Sequence, residues 1–233
     1  MNLIPPSVMT LSDKDRSMLG IGVFPGFRDF FNNIANDGEP DATNWTVIEA
    51  VGSVRVIHNT AEEPGYLYCL PDAAGGNDAI AHTIDKRVFA LKELVLTIRL
   101  EARVKFDWAS DTGEVCGIGF MENECGINDI VDLTDVGNRV ASIVVVDNVP
   151  TAYTTDGAAE TTDLSAFITD NTWFDLRIII SREQVEFYID GILRATHDTN
   201  VPIAVWCFVC GATSEGDAIT EKFFLESIDI WGE

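Results

Sequence analysis

The chain has 233 residues, of which 46% are hydrophobic and 23% are charged. That composition supplies a sizeable apolar core and excludes an intrinsically disordered chain. Its 15 Lys and Arg residues oppose 38 Asp and Glu residues, so the formal net charge is −23 and we expect neither nucleic acid nor a membrane as a partner.

Residues 1–25 are predicted to form an extended N-terminal arm. They lack the basic start, apolar core and small-residue cleavage site of a secretory signal peptide, so we expect synthesis in a cytoplasm without export. Two adjacent prolines favour an extended chain, and the arm is too apolar to float in water, so we expect it to lie against another protein subunit. The residues expected to make this contact are Leu3, Ile4, Pro5, Pro6, Val8, Met9 and Leu11.

Nearly all periodic segments that follow predict β-strands. These segments are 45–49, 53–58, 66–70, 79–86, 94–106, 115–121, 139–146, 173–180, 185–189, 192–197, 204–210 and 222–231. In segment 94–106 the even-numbered residues are apolar and should be buried, whereas Arg99, Glu101 and Arg103 should be exposed. Only short helices are expected, at 11–19, 28–33 or 164–168.

The dipeptide Asp190-Gly191 separates two β-rich runs and predicts a hairpin with a type I′ turn. About a dozen short strands divided by turn residues predict an all-β sandwich or barrel. The sequence therefore predicts one β domain that follows the arm.

The five cysteines are expected to be reduced and buried, since their number is odd and their surroundings are apolar. Cys207 and Cys210 form a CxxC motif, but residues three apart on a strand point to opposite faces, so neither zinc nor redox chemistry is favoured. The three histidines are expected to be structural. The only weak candidates for metal binding are Asp129, Asp132 and Asp135, which could offer oxygen ligands to Ca²⁺ or form a solvated acidic loop.

Three stretches resemble the concanavalin A-like lectin/glucanase superfamily. Residues 26–47 are similar to its first strands, and residues 223–232 are similar to its closing strand. Residues 173–202 are similar to a part of the fold that consists of a strand, a hairpin with Asp-Gly and a Thr-Asn-x-Pro loop. The resemblance implies that residues 26–233 form a LamG-like jelly-roll sandwich of two antiparallel sheets. This fold serves hydrolases, lectins, adhesion modules and virion proteins, so it does not fix the function.

Retaining glucanases of this fold carry a strand of the form Glu-x-Asp-x-(x)-Glu, because nucleophile and acid must share one face about 5 Å apart. That spacing is absent here. Glu183 and Glu186, like Glu226 and Asp229, are expected on opposite strand faces, and Glu122-x-Glu124 lacks a third acid. We therefore predict no catalytic and no cofactor-binding residues.

The resemblance, without the catalytic acids, leads to the hypothesis of a non-enzymatic virion structural protein made in a host cytoplasm. A phage capsid decoration (cement) protein, or a related head or tail component, is the leading interpretation. Its expected partners are other virion proteins, such as the major capsid protein, and further copies of itself. The alternatives are a carbohydrate-binding, receptor-binding lectin-like module and, third, a divergent glycan hydrolase. No cofactor is expected beyond the Ca²⁺ considered above.

Overall fold

A computed structural model of the chain describes residues 27–29, 31, 45–49, 54–58, 65–71, 77–83, 89–90, 97–108, 115–122, 133–203, 205–214 and 222–232. The arm (1–25) lies outside these ranges, as do Asp129 and Asp132. All regular elements in the described ranges are β-strands. No helix there is long and apolar enough to cross a membrane.

The strands form two antiparallel sheets, which we call sheet A and sheet B. Sheet A has the order β14-β13-β12-β7-β16-β4-β3, with β1 beside β16. Its strands are β1 (Phe27–Asp29), β3 (Val54–His58), β4 (Tyr66–Leu70), β7 (Thr97–Asp107), β12 (Phe174–Ser181), β13 (Val185–Ile189), β14 (Ile192–His197) and β16 (Lys222–Gly232).

Sheet B has the order β11-β10-β9-β8-β15-β5-β2, with β6 beside β15. Its strands are β2 (Trp45–Glu49), β5 (Asn77–Thr83), β6 (Phe89–Ala90), β8 (Val115–Glu122), β9 (Arg139–Val146), β10 (Val149–Asp156), β11 (Ala159–Asp163) and β15 (Val205–Ser214). The two sheets confirm the predicted all-β jelly-roll sandwich.

Strand β7 lies in the middle of sheet A, between β12 and β16. Its even-numbered residues from Ile98 to Phe106 are buried in the core, as predicted. Arg99, Glu101 and Arg103 point to the opposite face but are half-buried rather than exposed, because neighbouring strands hold side chains against them. Leu94 and Leu96, which were also predicted to be buried, lie outside the described residues.

The core between the sheets is built from large side chains of both. Trp45 of β2 packs edge-on against Phe27 of sheet A and Phe208 of sheet B. Its indole N–H donates to the Asp29 carboxylate at 2.8 Å, which satisfies its one polar atom. Fully burying such a side chain contributes about 1.5–3 kcal/mol, so this packing ties the short strand β1 to the body of the sandwich.

Two tight turns carry the hairpins. Asp190 and Gly191 have φ angles of 51° and 74°, as the predicted type I′ turn requires. Asp147 and Asn148 form a second turn of this kind, with φ angles of 50° and 65°, and start a hairpin that the sequence did not reveal. The strands β6, β10 and β11 were likewise not predicted, whereas β1 agrees with the first strand that the resemblance implied for residues 26–47.

The predicted short helices are wrong where the structure describes them. Residues 28 and 29 of the predicted helix 28–33 belong to β1, and residues 11–19 lie outside the described ranges. Residues 164–168 form one turn, in which the amides of Phe167 and Ile168 donate to the Leu164 carbonyl at 2.8 and 3.0 Å, and the chain does not continue as a helix.

A buried histidine joins the two sheets at the side of the sandwich where β14 meets β11. His197 of β14 is 1% exposed, and its Nδ1 and Nε2 lie 2.9 and 3.0 Å from the hydroxyls of Thr154 and Thr162 in sheet B. Its ring packs against Phe187. Burial lowers the pKa of His197, although Glu160 and Asp198 raise it in part. The histidine is thus a structural cross-link, as expected for a histidine without a catalytic setting.

Candidate functional site

The outward face of sheet A brings together basic, acidic and aromatic side chains. We call these residues the outer patch. Its members occupy the strand positions that point away from the core, together with Trp173, which directly precedes β12. They are Arg28, Tyr66, Tyr68, Arg99, Glu101, Arg103, Lys105, Asp107, Trp173, Asp175, Arg177, Glu186, Tyr188, Lys222, Phe224, Glu226 and Asp229.

The register between neighbouring strands places oppositely charged side chains beside each other in the outer patch. In the β12–β7 pair, Arg177 lies opposite Glu101 and Asp175 opposite Arg103. The Arg177 guanidinium contacts Glu101 at 2.9 Å. In cross-strand positions such pairs contribute only about 0.2–1 kcal/mol each, so they neutralise the surface more than they stabilise the fold.

Arg103 is the centre of this arrangement. Its guanidinium contacts Asp175 at 2.9 Å and Glu226 at 2.7 Å, while 43% of its side chain stays exposed. The hydrogen bond that Arg103 donates to the Asp175 carboxylate raises the pKa of Arg103 above its ordinary value, so this residue is a permanent cation.

A β-bulge in β16 decides where two acids lie. The register against β7 shifts between Leu225 and Ser227, so Glu226 reaches Arg103 and Asp229, three residues later, pairs with Arg28 on the same outer face. The prediction that Glu226 and Asp229 lie on opposite faces is therefore wrong, because the extra residue of a bulge changes the alternation.

A groove of about 320 Å³ crosses the outer patch. Its walls include Glu101, Arg103, Asp175, Arg177 and Asp229, together with Gly191 of the β13–β14 hairpin. Each of these charged side chains has an oppositely charged partner within the patch or in β1. The groove walls thus carry three carboxylates and two guanidinium groups, and Arg28 of β1 supplies the third positive charge.

An aromatic cluster lies beside the groove. Trp173 and Phe224 meet edge to face at 6.2 Å, and Tyr66 contacts both rings at 6.1 and 5.7 Å. The Lys105 ammonium lies 4.0 Å from the Phe224 ring centre and 5.5 Å from that of Trp173, as cation–π contacts require. Burial, followed by the charge of Asp107, raises the pKa of the neighbouring Tyr68.

The outward face of sheet B differs in character. Its central positions form a second apolar cluster, separate from the main core. The members are Met121, Leu133, Val140, Val144, Tyr153, Cys207 and Val209. Among the described side chains at outward positions of β8, β9, β10 and β15, none is a carboxylate. This face therefore offers no acid pair for glycoside hydrolysis in the part of the chain that the structure describes.

The segment 133–138 is bonded across that second face. Ser142 donates to the Leu133 carbonyl at 3.3 Å, and the Tyr153 hydroxyl donates to the Thr134 carbonyl at 2.6 Å. Thr155 adds a longer bond of 3.4 Å to the carbonyl of Val136. Because these bonds satisfy buried hydroxyls, the segment closes the surface above β9 and β10 rather than merely passing over it.

The other sequence candidates are distributed as follows. Asp135 is exposed, and its carboxylate accepts the Gly137 amide at 2.8 Å, so it stabilises the turn in which it lies. Within the described ranges, no three His, Cys, Asp or Glu residues are grouped so that they could hold a metal ion. Glu183 is exposed in the β12–β13 turn, whereas Glu186 lies on the outer patch beside Tyr188.

The four cysteines in the described ranges are buried thiols. Cys207 lies in the cluster on the outward face of β15 and Cys210 in the main core, so the CxxC residues do point to opposite faces. Burial raises the pKa of Cys210 well above its ordinary value. A thiol in this setting is a poor nucleophile and a poor metal ligand.

Comparison with known proteins identifies the fold alone. No protein-family model and no curated protein sequence matches the chain. The Bacillus licheniformis β-glucanase is a structural neighbour at 12% identity and a TM-score of 0.57, covering 89% of this chain and 98% of its own.

Two further neighbours have different activities. The potassium-bound carbohydrate recognition domain of Emp46p is similar with a TM-score of 0.58 at 11% identity, over 87% of this chain and 94% of its own. The alginate lyase AlgAT5 of polysaccharide lyase family 7 is similar with a TM-score of 0.56 at 13% identity, over 83% and 96%. The chain thus has the concanavalin A-like fold shared by lectins, glucanases and lyases.

Proposed function

We propose that this chain acts by binding other proteins rather than by catalysis, as a structural component of a virus particle such as a phage capsid decoration protein. The observation that carries the non-catalytic part is the outward face of sheet B. Its described positions on β8, β9, β10 and β15 are apolar or hydroxylic, and the segment 133–138 is bonded across them. A hydrolase of this fold needs two carboxylates on one open face.

The outer patch of sheet A supports protein binding. Tyr, Trp and Arg are the residues that most often dominate the energetics of protein interfaces. Here Tyr66, Trp173 and Arg103 lie next to each other, and the two aromatic side chains are only half-buried. Carboxylates are present too, but each described acid beside the groove is held by a basic side chain.

The proposal of a virus particle has two supports. The described cysteines are buried thiols, which suits a particle assembled in a reducing cytosol. The apolar segment 1–25, which lies outside the described residues, has the composition of an arm that gains order on a neighbouring subunit.

Electron microscopy of native particles from cells that express this gene tests the proposal. We expect density for the sandwich at regular positions on the head or tail, and the full-length protein should restore it when added to particles that lack it. Particles that contain no copy of the chain would refute the structural role. Release of reducing sugar from mixed polysaccharides by the same protein would refute its non-enzymatic character.

A lectin-like function is the second candidate, because Trp173 and Tyr66 form an aromatic surface on which a sugar ring could stack. A glycan array probed with and without Ca²⁺ tests it. Reproducible micromolar binding that Trp173→Ala abolishes would favour this alternative over the protein-binding proposal.

A further inference from the structure

The outer patch has no net charge, although the chain as a whole is strongly acidic. Its basic members are Arg28, Arg99, Arg103, Lys105, Arg177 and Lys222. Its acidic members, equal in number, are Glu101, Asp107, Asp175, Glu186, Glu226 and Asp229. The rest of the chain therefore carries the entire formal charge of −23.

This distribution determines how two copies of the chain can approach each other. When two acidic surfaces meet, their negative charges repel each other. This repulsion costs free energy unless the salt concentration is high enough to screen it. A face on which positive and negative charges alternate avoids that cost. It can also match itself about a two-fold axis, since each basic side chain can meet an acid of the other copy.

The size of the patch suits a homodimer. Five strands at about 4.8 Å spacing and nine residues at about 3.3 Å rise give a face of roughly 24 by 30 Å, or about 700 Å². Stable interfaces bury about 600–1,000 Å² on each partner. Arg103 on the central strand β7 would then lie near the middle of the contact, with Trp173 of the aromatic cluster 6.0 Å from its guanidinium, where interface anchors contribute most.

We infer that the outer patch of sheet A is the face through which the chain binds a second copy of itself. The inference deepens the proposed function by naming a partner and its contact face. The two can fail separately: a monomeric chain could still bind capsid subunits, and a dimer could exist without any particle.

Sedimentation equilibrium of the full chain tests the inference, with two matched variants. Arg103 and Arg139 each contact two carboxylates and each has 43% of its side chain exposed, but Arg139 belongs to sheet B. Arg103→Glu and Arg139→Glu change the net charge equally. We expect a wild-type dimer with a dissociation constant of about micromolar, tightened by added salt. Arg103→Glu should weaken it at least about tenfold relative to Arg139→Glu.

A monomer at all concentrations and salt levels would overturn the inference, and so would equal effects of the two variants. Hydroxyl-radical footprinting of the wild-type chain adds a test that needs no variant. Trp173 and Tyr66 should become protected as the concentration rises, whereas Phe167, which is 39% exposed at another place, should not. Protection that is independent of concentration would mean that another part of the same chain covers the patch, and would also overturn the inference.

Discussion

Replacing His197 by Phe tests the cross-link between the two sheets. Phe keeps a planar ring of similar size against Phe187 but removes both hydrogen-bonding nitrogens. The hydroxyl of Thr154 is then left in a fully buried place, since this residue is 0% exposed. Thr162 is half-buried and can turn to water, so most of the cost falls on Thr154.

The expected magnitude follows from those two hydroxyls. Leaving a buried donor or acceptor unpaired costs about 1–3 kcal/mol, and losing a partly exposed hydrogen bond costs about 0.5–1.5 kcal/mol. His197→Phe should therefore reduce the free energy of unfolding by about 1.5–4.5 kcal/mol. In the double variant with Thr154→Val, the unpaired hydroxyl is gone, so much of this loss should be recovered.

The same variant predicts a change in pH dependence. Burial lowers the pKa of His197 below its ordinary value of 6.5, so the unfolded chain takes up a proton before the folded one does. The stability that this difference contributes is fully present above about pH 6.5 and decreases as the pH falls towards the pKa of the folded state. Urea unfolding from about pH 8 to about pH 5.5 should show this decrease in the wild type and a weaker one in His197→Phe.

Parallel pH profiles of the two proteins would refute this reasoning, because they would mean that the histidine titrates alike in both states. A double variant less stable than His197→Phe would refute the hydrogen-bond argument in its own right. Glu160 does not confound the comparison. Burial raises its pKa, but the stronger combined effect of the Thr199 hydrogen bonds lowers it, so it titrates below the pH range used.

Three further outcomes are expected. Gly119→Ala should cost about 1–3 kcal/mol in urea unfolding. The reason is that an added Cβ would lie 2.5 Å from the Ser142 Cα. Gly137→Ala is the control and should cost less, because its Cβ would approach only the Asp135 carboxylate, at 3.3 Å. Ellman's reagent should modify at most Cys125 in the folded chain and all five thiols in urea; rapid modification of two or more in the folded chain would contradict the burial of the other four. At about 0.15 M salt the chain should not retard duplex DNA in a gel, and a tight complex would contradict the repulsion expected from its net charge.

Strict alternation of apolar and polar residues was the sequence signal that predicted the structure best. In β7 the apolar residues occupy one face without exception, so both the strand and its buried side could be predicted. The hairpin at Asp190-Gly191 was equally clear, because few dipeptides accept two positive φ angles in succession.

Strands β10 and β11 could not be predicted, because β10 has threonines at buried positions and β11 has no fully buried residue. Thr154 is buried only because His197, from a strand more than forty residues later, satisfies its hydroxyl. No local pattern contains that information. The bulge at Glu226 is a similar case, since one extra residue reverses the face of the acids while the sequence still reads as a regular strand.

The outer patch was missed for a topological reason. Tyr66, Trp173 and Phe224 come from distant parts of the chain and meet only because β4, β16, β7 and β12 lie side by side in sheet A. Singly, each tryptophan or tyrosine is more often a core residue than a contact residue. The calcium ligands and the arm remain predictions, because all of them except Asp135 lie outside the described residues.

The closed face of sheet B has a consequence for the evolution of this domain. Strand β9 is buried on both sides, so a carboxylate placed at an outward position such as 142 would be desolvated beneath the segment 133–138 before it could meet a substrate. A lineage that acquired catalysis on this face would first have to lose the covering segment, and the apolar cluster would then be exposed to water. Because neither change is useful without the other, catalysis on this face would require both together.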